Sequence, residues 1–396
     1  MRVVVVGAGI GGMTAALGLA RAGHSVQILE RAQGVSPLGA GLQVSANARR
    51  ILVHLGLGGE FAAIATEPSR IVVRRWDDDS VLGEAPLTGV HDARFGHAFA
   101  NVARNDLAGL LVNAASAMPN IDIRFGVQVE EIDQSGSHPV VRCADGAFDA
   151  DVVIGADGIH SVVRGVVAGE DSPRFSGWAA FRAQVPRGRV EHLPVETTNR
   201  VGPGAHVVSY FIGRNRSHLN LVFIAPETEW KGESWTEQTS LASLREAFHG
   251  WSPQLQDIIS AVEEPVYKWA LYDREPLSTW CNGSVALLGD AAHPMLPFMA
   301  QGACQAIEDA AVLVRCLEGV DPRSAAVSGA LLSYEATRIE RATRIQSGSY
   351  LNRIVFHYPD GEEQVARDAM FASDRWSSAT DWVYQHDALT TPLVSG

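Results

Sequence analysis

The sequence is poor in cysteine, in net positive charge and in long apolar runs, and each shortage removes a class of protein. Its four cysteines, Cys143, Cys281, Cys304 and Cys316, show neither C-x-x-C spacing nor a histidine-rich neighbourhood. No metal site and no disulfide framework is therefore expected, and they read as ordinary thiols. A total of 32 Lys and Arg against 45 Asp and Glu leaves a formal net charge of −13 with no basic stripe, which argues against nucleic acid or an anionic membrane as partner. Although 46% of residues are hydrophobic, no apolar run approaches the roughly 20 residues that a bilayer-spanning helix needs. Met1-Arg2 leads at once into Val3-Val4-Val5-Val6 and a glycine-rich turn, without the features of a secretory signal, so a cytoplasmic location is expected. Neither a repeat nor a low-complexity linker interrupts the 396 residues, a length that suits two joined lobes plus a terminal extension. What remains is an enzyme for a small organic substrate, monomeric or homodimeric.

Arg2-Val3-Val4-Val5-Val6 is the β-branched run of a parallel strand buried on both faces, stopping at Gly7. Residues 13–22 are helix formers, Gly23 ends them, and Ser25-Val26-Gln27-Ile28-Leu29 is a second strand ending at Glu30. That is a β-α-β unit. Asp151-Val152-Val153-Ile154 and Val285-Ala286-Leu287-Leu288 repeat the pattern of a short apolar strand that stops at Gly before an acidic residue, so three such strand ends can share one sheet. Between them, residues 177–268 carry β-leaning pieces such as Val207-Val208-Ser209-Tyr210-Phe211-Ile212 and Leu219-Asn220-Leu221-Val222-Phe223-Ile224, read as an inserted antiparallel sheet. Residues 244–262 read as a helix interrupted near Pro253. The pattern is helical again from Gln305 to Leu317 and over 331–354, then ends in a tail with Trp376, Trp382 and Tyr384.

Gly7-Ala8-Gly9-Ile10-Gly11-Gly12 fits G-x-G-x-x-G, directly after a strand, opening a helix and followed about 18 residues on by the acidic strand end Glu30. Gly7 permits the tight turn, Gly9 lets backbone approach a pyrophosphate, Gly12 lets helix and strand pack closely, and the helix start offers free N–H groups. Glu30 is expected to accept hydrogen bonds from an adenosine ribose. This motif leaves FAD and NAD both open.

Three further stretches carry a resemblance. Gly289-Asp290-Ala291-Ala292-His293-Pro294, with Pro297 and Gln301-Gly302-Ala303, resembles the G-D-A-A-H-x-x-x-P-x-x-x-Q-G run of the flavin-dependent aromatic hydroxylases. Asp151-Val152-Val153-Ile154-Gly155-Ala156-Asp157-Gly158 through Arg164 resembles that family's D-G motif. Arg104, in Val102-Ala103-Arg104-Asn105-Asp106-Leu107, matches the place of an Arg on the FAD phosphates. Within the family the chain is most similar to the salicylate hydroxylase and 6-hydroxynicotinate 3-monooxygenase branch, through Leu38-Gly39-Ala40-Gly41-Leu42-Gln43-Val44, Ser176-Gly177-Trp178, Lys268-Trp269 and Met299-Ala300-Gln301-Gly302-Ala303-Cys304.

The resemblance implies an α/β fold: a Rossmann-type FAD-binding domain (residues 1–68, 99–173 and 276–325), an inserted β-sheet substrate domain (69–98 and 174–275) and a C-terminal helical extension (326–396). It implies a monooxygenase of aromatic compound catabolism that binds FAD non-covalently, takes electrons from NADH or NADPH and uses O2. Hydroxylation of a small phenolic or hydroxypyridine acid would run through a C4a-hydroperoxyflavin, with or without decarboxylation. An oxidase or dehydrogenase is the alternative, and it would share only the first motif. Asp290 would hold the ribitol, the Gly302-Ala303 helix start would face the flavin edge where negative charge collects, and Arg164 would orient Asp157. Gln43, Pro297, Phe298 and Met299 would line the substrate pocket. His206 and Tyr210 match polar pocket positions of the hydroxynicotinate enzyme, and four residues apart on a strand they share a face; an ordinary half-exposed strand face is the competing reading. In that enzyme the positions of Gln43 and Phe298 are histidines and that of Thr197 a cysteine, so its substrate does not transfer simply. Arg182 is either a carboxylate anchor or a surface charge.

Overall fold

A computed structural model of the chain describes every residue except 37–39, 145, 170, 229, 231–237 and 322–324. Leu38 and Gly39 of the branch-specific stretch therefore lie outside the described residues. The valines after Arg2 are 0–5% exposed, because strand Arg2–Val6 sits inside a sheet, parallel to Ser25–Glu30 on one side and Val152–Gly155 on the other. From one edge the sheet runs Cys281–Asn282, Val285–Leu287, Val152–Gly155, Arg2–Val6, Ser25–Glu30, Ile121–Phe125. The three strands that stop at Gly are thus neighbours, as their pattern suggested. Helix Ile10–Arg21 is buried on all sides from Ile10 to Ala20. Gly11 and Gly18 make this possible: a Cβ at Gly11 would stand 2.9 Å from Ala306 Cβ, and one at Gly18 2.7 Å from Val314, so the absent side chains let helix Gly302–Leu317 pack directly against it.

The expected second sheet has eight strands, in the order Gln238–Thr239, Val266–Asp273, Arg174–Pro186, His218–Pro226, Ala205–Ile212, Thr197–Gly202, Arg70–Arg75, Val81–Pro86. All neighbours are antiparallel except Thr197–Gly202 with Arg70–Arg75. Side chains alternate between its faces. Phe181, Ala183, Val185, Val207, Phe211, Leu219, Leu221 and Phe223 form one apolar layer with Leu244 of helix Leu241–Ala247, Phe248 just after it, and Leu255, Ile258 and Ile259 of helix Pro253–Ser260. The break between these helices falls where Pro253 takes the first helical position and Ser252 Oγ accepts the Leu255 N–H. The opposite face carries the alternate residues Arg182, His206, Val208, Tyr210, Val222 and Ile224, and turns toward the first lobe.

Helix Ala326–Val355 joins the two lobes. It begins five residues before the sequence pattern suggested, since Ala326, Ser328, Gly329 and Ala330 give no apolar period. Val327, Leu331 and Tyr334 complete the core of the first lobe, while Gly348, Asn352 and Phe356 reach the space between the lobes. Arg338, fully buried, donates to Glu308 (2.7 Å), Asp309 (2.8 Å) and Gln305 (2.7 Å), and Arg341 adds a second cation on Glu308. Among the described residues no helix is long and apolar enough to cross a membrane.

Candidate active site

A cavity of about 1570 Å³ opens between the carboxyl ends of the parallel strands and the inner face of the eight-stranded sheet. A site for one small ligand occupies roughly 300–1,000 Å³, so this space suits a dinucleotide and an aromatic ring together.

At the dinucleotide end the glycines divide their labour as their spacing predicts. Gly7 has φ +103°, and a Cβ there would lie 2.4 Å from the Ala156 carbonyl oxygen; at Gly12 it would lie 2.2 Å from Gly7 O. Gly9 meets nothing within 4 Å: it fronts the cavity, where a phosphate would come close. The helix beginning at Ile10 has no side-chain cap, so its first N–H groups remain available to an anion. Glu30 lines the cavity with its carboxylate oriented by the N–H groups of Ala8 (2.7 Å) and Ala32 (2.8 Å). Arg104 opens helix Arg104–Ser116 and also lines the cavity; its guanidinium makes no hydrogen bond or ion pair with a described residue. A free cation lining the same cavity as a glycine-rich helix start fits a pyrophosphate.

Asp157 holds the turn after strand Val152–Gly155, but Arg164 does not orient it. Asp157 accepts from Ser161 Oγ (2.5 Å) and from the N–H groups of Val162 (2.8 Å) and Val163 (3.3 Å), and burial raises its pKa. Arg164 instead forks onto Asp171 (2.9 Å to each oxygen) and donates to the carbonyls of Ala291 (2.9 Å) and Ala292 (3.2 Å). Arg164 lies inside helix Val162–Ala168 with its guanidinium carried away from Asp157, so it fastens the D-G segment to the turn that bears Asp290. Asp290 sits on that one-turn Gly289–Ala291 helix, lines the cavity, and makes no side-chain bond to a described residue. Its neighbour His293 is occupied elsewhere, on Asp309 at 2.6 Å.

Helix Gly302–Leu317 starts beside Asp290, with Gly302 and Ala303 both on the cavity wall. Gln301 does not cap it: its side chain donates to Ser45 Oγ and accepts from Asn47. The first N–H groups and the positive end of the helix dipole are left facing the cavity. These unpartnered groups, an acid for polyol hydroxyls, a cation for phosphates and two bare helix starts, fit FAD.

At the far end, Pro297, Phe298 and Met299 form a one-turn helix on the cavity wall opposite the sheet. Gln43, on strand Gly41–Val44, lines the cavity too. Thr197 does as well, its Oγ1 held by Asn101 at 3.0 Å. His206 and Tyr210 share one face of strand Ala205–Ile212, as their spacing implied, but they are buried rather than half-exposed. The Tyr210 hydroxyl has no partner among the described residues, and burial raises its pKa. His206 Nδ1 is 2.7 Å from Nε2 of His357, a residue that the sequence reading passed over. Burial, and then His357, keep His206 well below the usual histidine range, while burial pushes His357 down to about 3. Both are neutral imidazoles at neutral pH.

Arg182 lines this end in line with Val222 and Val208 across the sheet. Its guanidinium stacks 4.3 Å from the Trp269 ring centroid, makes no ion pair among the described residues, and leaves Nε unbonded. Burial pushes its pKa down to about 10. It is a desolvated cation without an anion, not a surface charge.

The family model described as "FAD binding domain" matches residues 1–349. The chain belongs to that family. Over 99% of this chain and 97% of the other, it is 35% identical to the 6-hydroxynicotinate 3-monooxygenase of Pseudomonas fluorescens. Over 98% of this chain and 96% of the other, it is 35% identical to a 3-amino-4-hydroxybenzoate 2-monooxygenase of Streptomyces platensis. The solved salicylate hydroxylase substrate complex superposes with a TM-score of 0.84 at 24% identity, covering 100% of this chain and 99% of that one, which shows the common fold. This FAD-binding family member is an FAD-dependent aromatic-ring monooxygenase, reduced by a nicotinamide nucleotide.

Sequence reasoning picked nine cofactor residues that all line the cavity, most of them marked by a glycine-rich turn and Arg104 by the resemblance alone. It missed His357 and Asn199. Asn199 lines the cavity with its Oδ1 unbonded, but nothing in its local sequence distinguishes it; only the alternation along strand Thr197–Gly202 could have, had Thr197 been taken as an anchor. His357 follows the last turn of a helix read as an appendage.

Proposed function

We propose that the protein hydroxylates a small aromatic acid whose ring is activated by a phenolic or hydroxypyridine oxygen. The observation that carries this reading is Arg182, a buried guanidinium open to the cavity with no carboxylate beside it among the described residues. A cation in that state is stabilised when a ligand brings the missing charge. The two relatives act on a hydroxynicotinate and an aminohydroxybenzoate by their names, and both substrates carry a carboxylate.

Residues 1–68, 99–173 and 276–325 would then act as the FAD-binding domain, 69–98 and 174–275 as the substrate domain, and 326–396 as an extension that also helps to enclose the ring. Gly7, Gly9, Gly12, Glu30, Arg104, Asp157, Asp290, Gly302 and Ala303 would hold FAD non-covalently. FAD, when bound, accepts hydride from the nicotinamide and supplies O2-derived oxygen to the ring. The start of helix Gly302–Leu317 favours negative charge on the ring system beside it. Pro297, Phe298 and Met299 keep water from the reacting atoms. Arg182 binds the substrate carboxylate and so fixes which ring carbon is presented. Tyr210 and His206 take the ring hydroxyl, Tyr210 by hydrogen bonding through Oη and His206 by accepting the proton at a ring nitrogen, which makes the ring a better nucleophile.

Phe298, its ring centroid 5.2 Å from that of His206, gives that side of the pocket an apolar wall. A pyridine nitrogen left unpaired there loses on the order of 1–3 kcal/mol, so 6-hydroxynicotinate is expected to be a poor substrate relative to a hydroxybenzoate. The test is a panel of hydroxybenzoates and hydroxypyridine carboxylates, scored for stimulation of NADH and NADPH consumption and for hydroxylated product. Stimulation by neutral phenols alone, or efficient turnover of 6-hydroxynicotinate, would overturn the corresponding part of the reading.

A further inference from the structure

The inner face of the eight-stranded sheet continues past the ring pocket. Strand register sets Arg182, Val222, Val208, Asn199 and Val73 in one row across the sheet, with Thr197, Ile71 and Ala85 in the row beside it, and all of them line the cavity. The strand of His206 and Tyr210 lies midway: the Arg182 strand is two places away on one side, the Ile71 strand two places away on the other. At about 4.8 Å per strand, the lined face reaches about 14 Å beyond that strand to Ala85 on the edge strand Val81–Pro86.

The facing wall comes from the C-terminal extension. Phe356 packs on His206 with ring centroids 5.4 Å apart, Phe371 on Phe356 at 6.5 Å, and Trp376 on Phe371 at 5.6 Å. Helix Glu362–Phe371 lies so close to the edge strand that a Cβ at Gly83 would stand 2.2 Å from the Phe371 carbonyl oxygen. This line of rings therefore runs from the pocket to the edge of the sheet. Exposure rises the same way: Thr197 is 3% exposed, Ile71 and Ala85 are half-buried, and Leu351 and Met370 on the facing helices are 59% and 44% exposed, all on the cavity wall. The space is thus a channel that leaves the ring pocket on the side away from Arg182 and reaches solvent. Its walls are largely hydrocarbon, and charged groups stand at its exposed end, where Arg344 stacks on Trp382 at 3.7 Å and Arg94 pairs with Asp381.

Hydrocarbon moved from water into such a channel lowers the free energy of the complex in proportion to the area covered. With the carboxylate on Arg182 and the ring hydroxyl at His206 and Tyr210, the ring carbon opposite the carboxylate faces Asn199 and the channel beyond it. We infer that the substrate is an aromatic acid with an apolar substituent para to its carboxylate, and that Ile71, Ala85, Leu351 and Trp376 select it by enclosing that substituent. This rests on the reading of Arg182 as the carboxylate anchor. Asn199, its Oδ1 unbonded, marks the inner end of the channel, and the apolar stretch begins one strand farther out at Ile71. The gain in affinity therefore starts with the second carbon of the substituent, not the first.

The test uses the FAD-loaded enzyme and equilibrium titration of the flavin absorbance band. The parent ligand is 2- or 3-hydroxybenzoate, whichever binds more tightly, alkylated from methyl to butyl at carbon 4 or, as a control, at carbon 5. The 4-methyl acid should bind within about three-fold of the parent, and each further carbon should tighten binding by about three- to four-fold, while the 5-alkyl series gains nothing. Ala85→Phe puts a ring into the channel; it should keep FAD content and bind the parent within about two-fold of wild type, yet abolish the gain along the 4-alkyl series. If Ala85→Phe does not retain FAD, Leu351→Asp, at an exposed position of the facing wall, should at least halve that gain. A flat 4-alkyl series, an equal gain in the 5-alkyl series, or a gain that survives these substitutions would overturn the inference, and turnover of the parent acid alongside would show that the proposed activity stands without it. Carboxylate-free alkylphenols that bind as tightly as the matching acids would instead refute Arg182 as the anchor, and the para assignment with it.

Discussion

Replacing Arg182 with methionine separates the charge of this residue from its bulk, since Met keeps an unbranched apolar stem against Trp269. Burial holds the guanidinium at about 10 against an ordinary 12.5, and that difference corresponds to roughly 3 kcal/mol of desolvation cost in the ligand-free protein. A substrate carboxylate offsets part of it by charge-assisted hydrogen bonding, worth about 1.5–3 kcal/mol. Arg182→Met should therefore weaken binding of whichever hydroxybenzoate the wild type turns over best by about 10- to 150-fold. The matching hydroxybenzamide, which carries no charge, should weaken less than about three-fold. Both are measured by equilibrium titration of the flavin absorbance band. A second consequence has the opposite sign: without ligand, the variant should be at least as stable to heat as the wild type, because a buried unpaired charge has been removed. Equal losses for acid and amide, or a lower melting temperature in the ligand-free variant, would refute the argument that Arg182 is a cation waiting for an anion.

Asp290→Ala should weaken FAD binding by about 1–3 kcal/mol, with flavin recovered free after denaturation of either form; unchanged affinity, read by ultrafiltration, would show that Asp290 is not the ribitol ligand. Tyr210→Phe should keep FAD content and substrate binding near wild type while lowering hydroxylated product per nicotinamide oxidised, the balance appearing as peroxide; full coupling would remove its hydroxyl from the reaction. Arg338→Met takes one cation from each of Glu308 and Asp309, leaving Arg341 on the first and His293 on the second, and should cost about 3–5 kcal/mol in denaturant unfolding near neutrality. The cations on Glu308, and His293 with Arg338 on Asp309, hold these carboxylates below their ordinary 4.5 and 3.8 despite opposing burial. Their contribution is accordingly complete above those values and lost as pH falls through the depressed ones. Wild-type stability should thus be flat down to about pH 5 and then decline, with the deficit of Arg338→Met narrowing in the same range; a deficit independent of pH would sink this account.

The cofactor half of the molecule was legible in the sequence because its signals are local. A β-branched run, a glycine with positive φ at position 7, an open glycine at 9 and a crowded one at 12 are consequences of one turn, and any chain that builds that turn must carry them within six residues. The same holds for Asp290 and the helix start at Gly302, separated by a single short loop. The alternation along 205–212 was enough to put His206 and Tyr210 on one face. Sequence could not say which face was covered, or by what. That Arg182 lies inside a cavity and not on the surface depends on a lobe packed over its sheet. That Arg164 serves Asp171 and not Asp157 depends on where a helical side chain points once two turns have docked. That His357 meets His206 depends on a 30-residue helix carrying the chain back across both lobes. Charge pairing and hydrogen bonding act through space over a few ångströms, whereas sequence patterns record only neighbours along the chain, so the chemistry assembled from distant segments belongs to the tertiary structure alone.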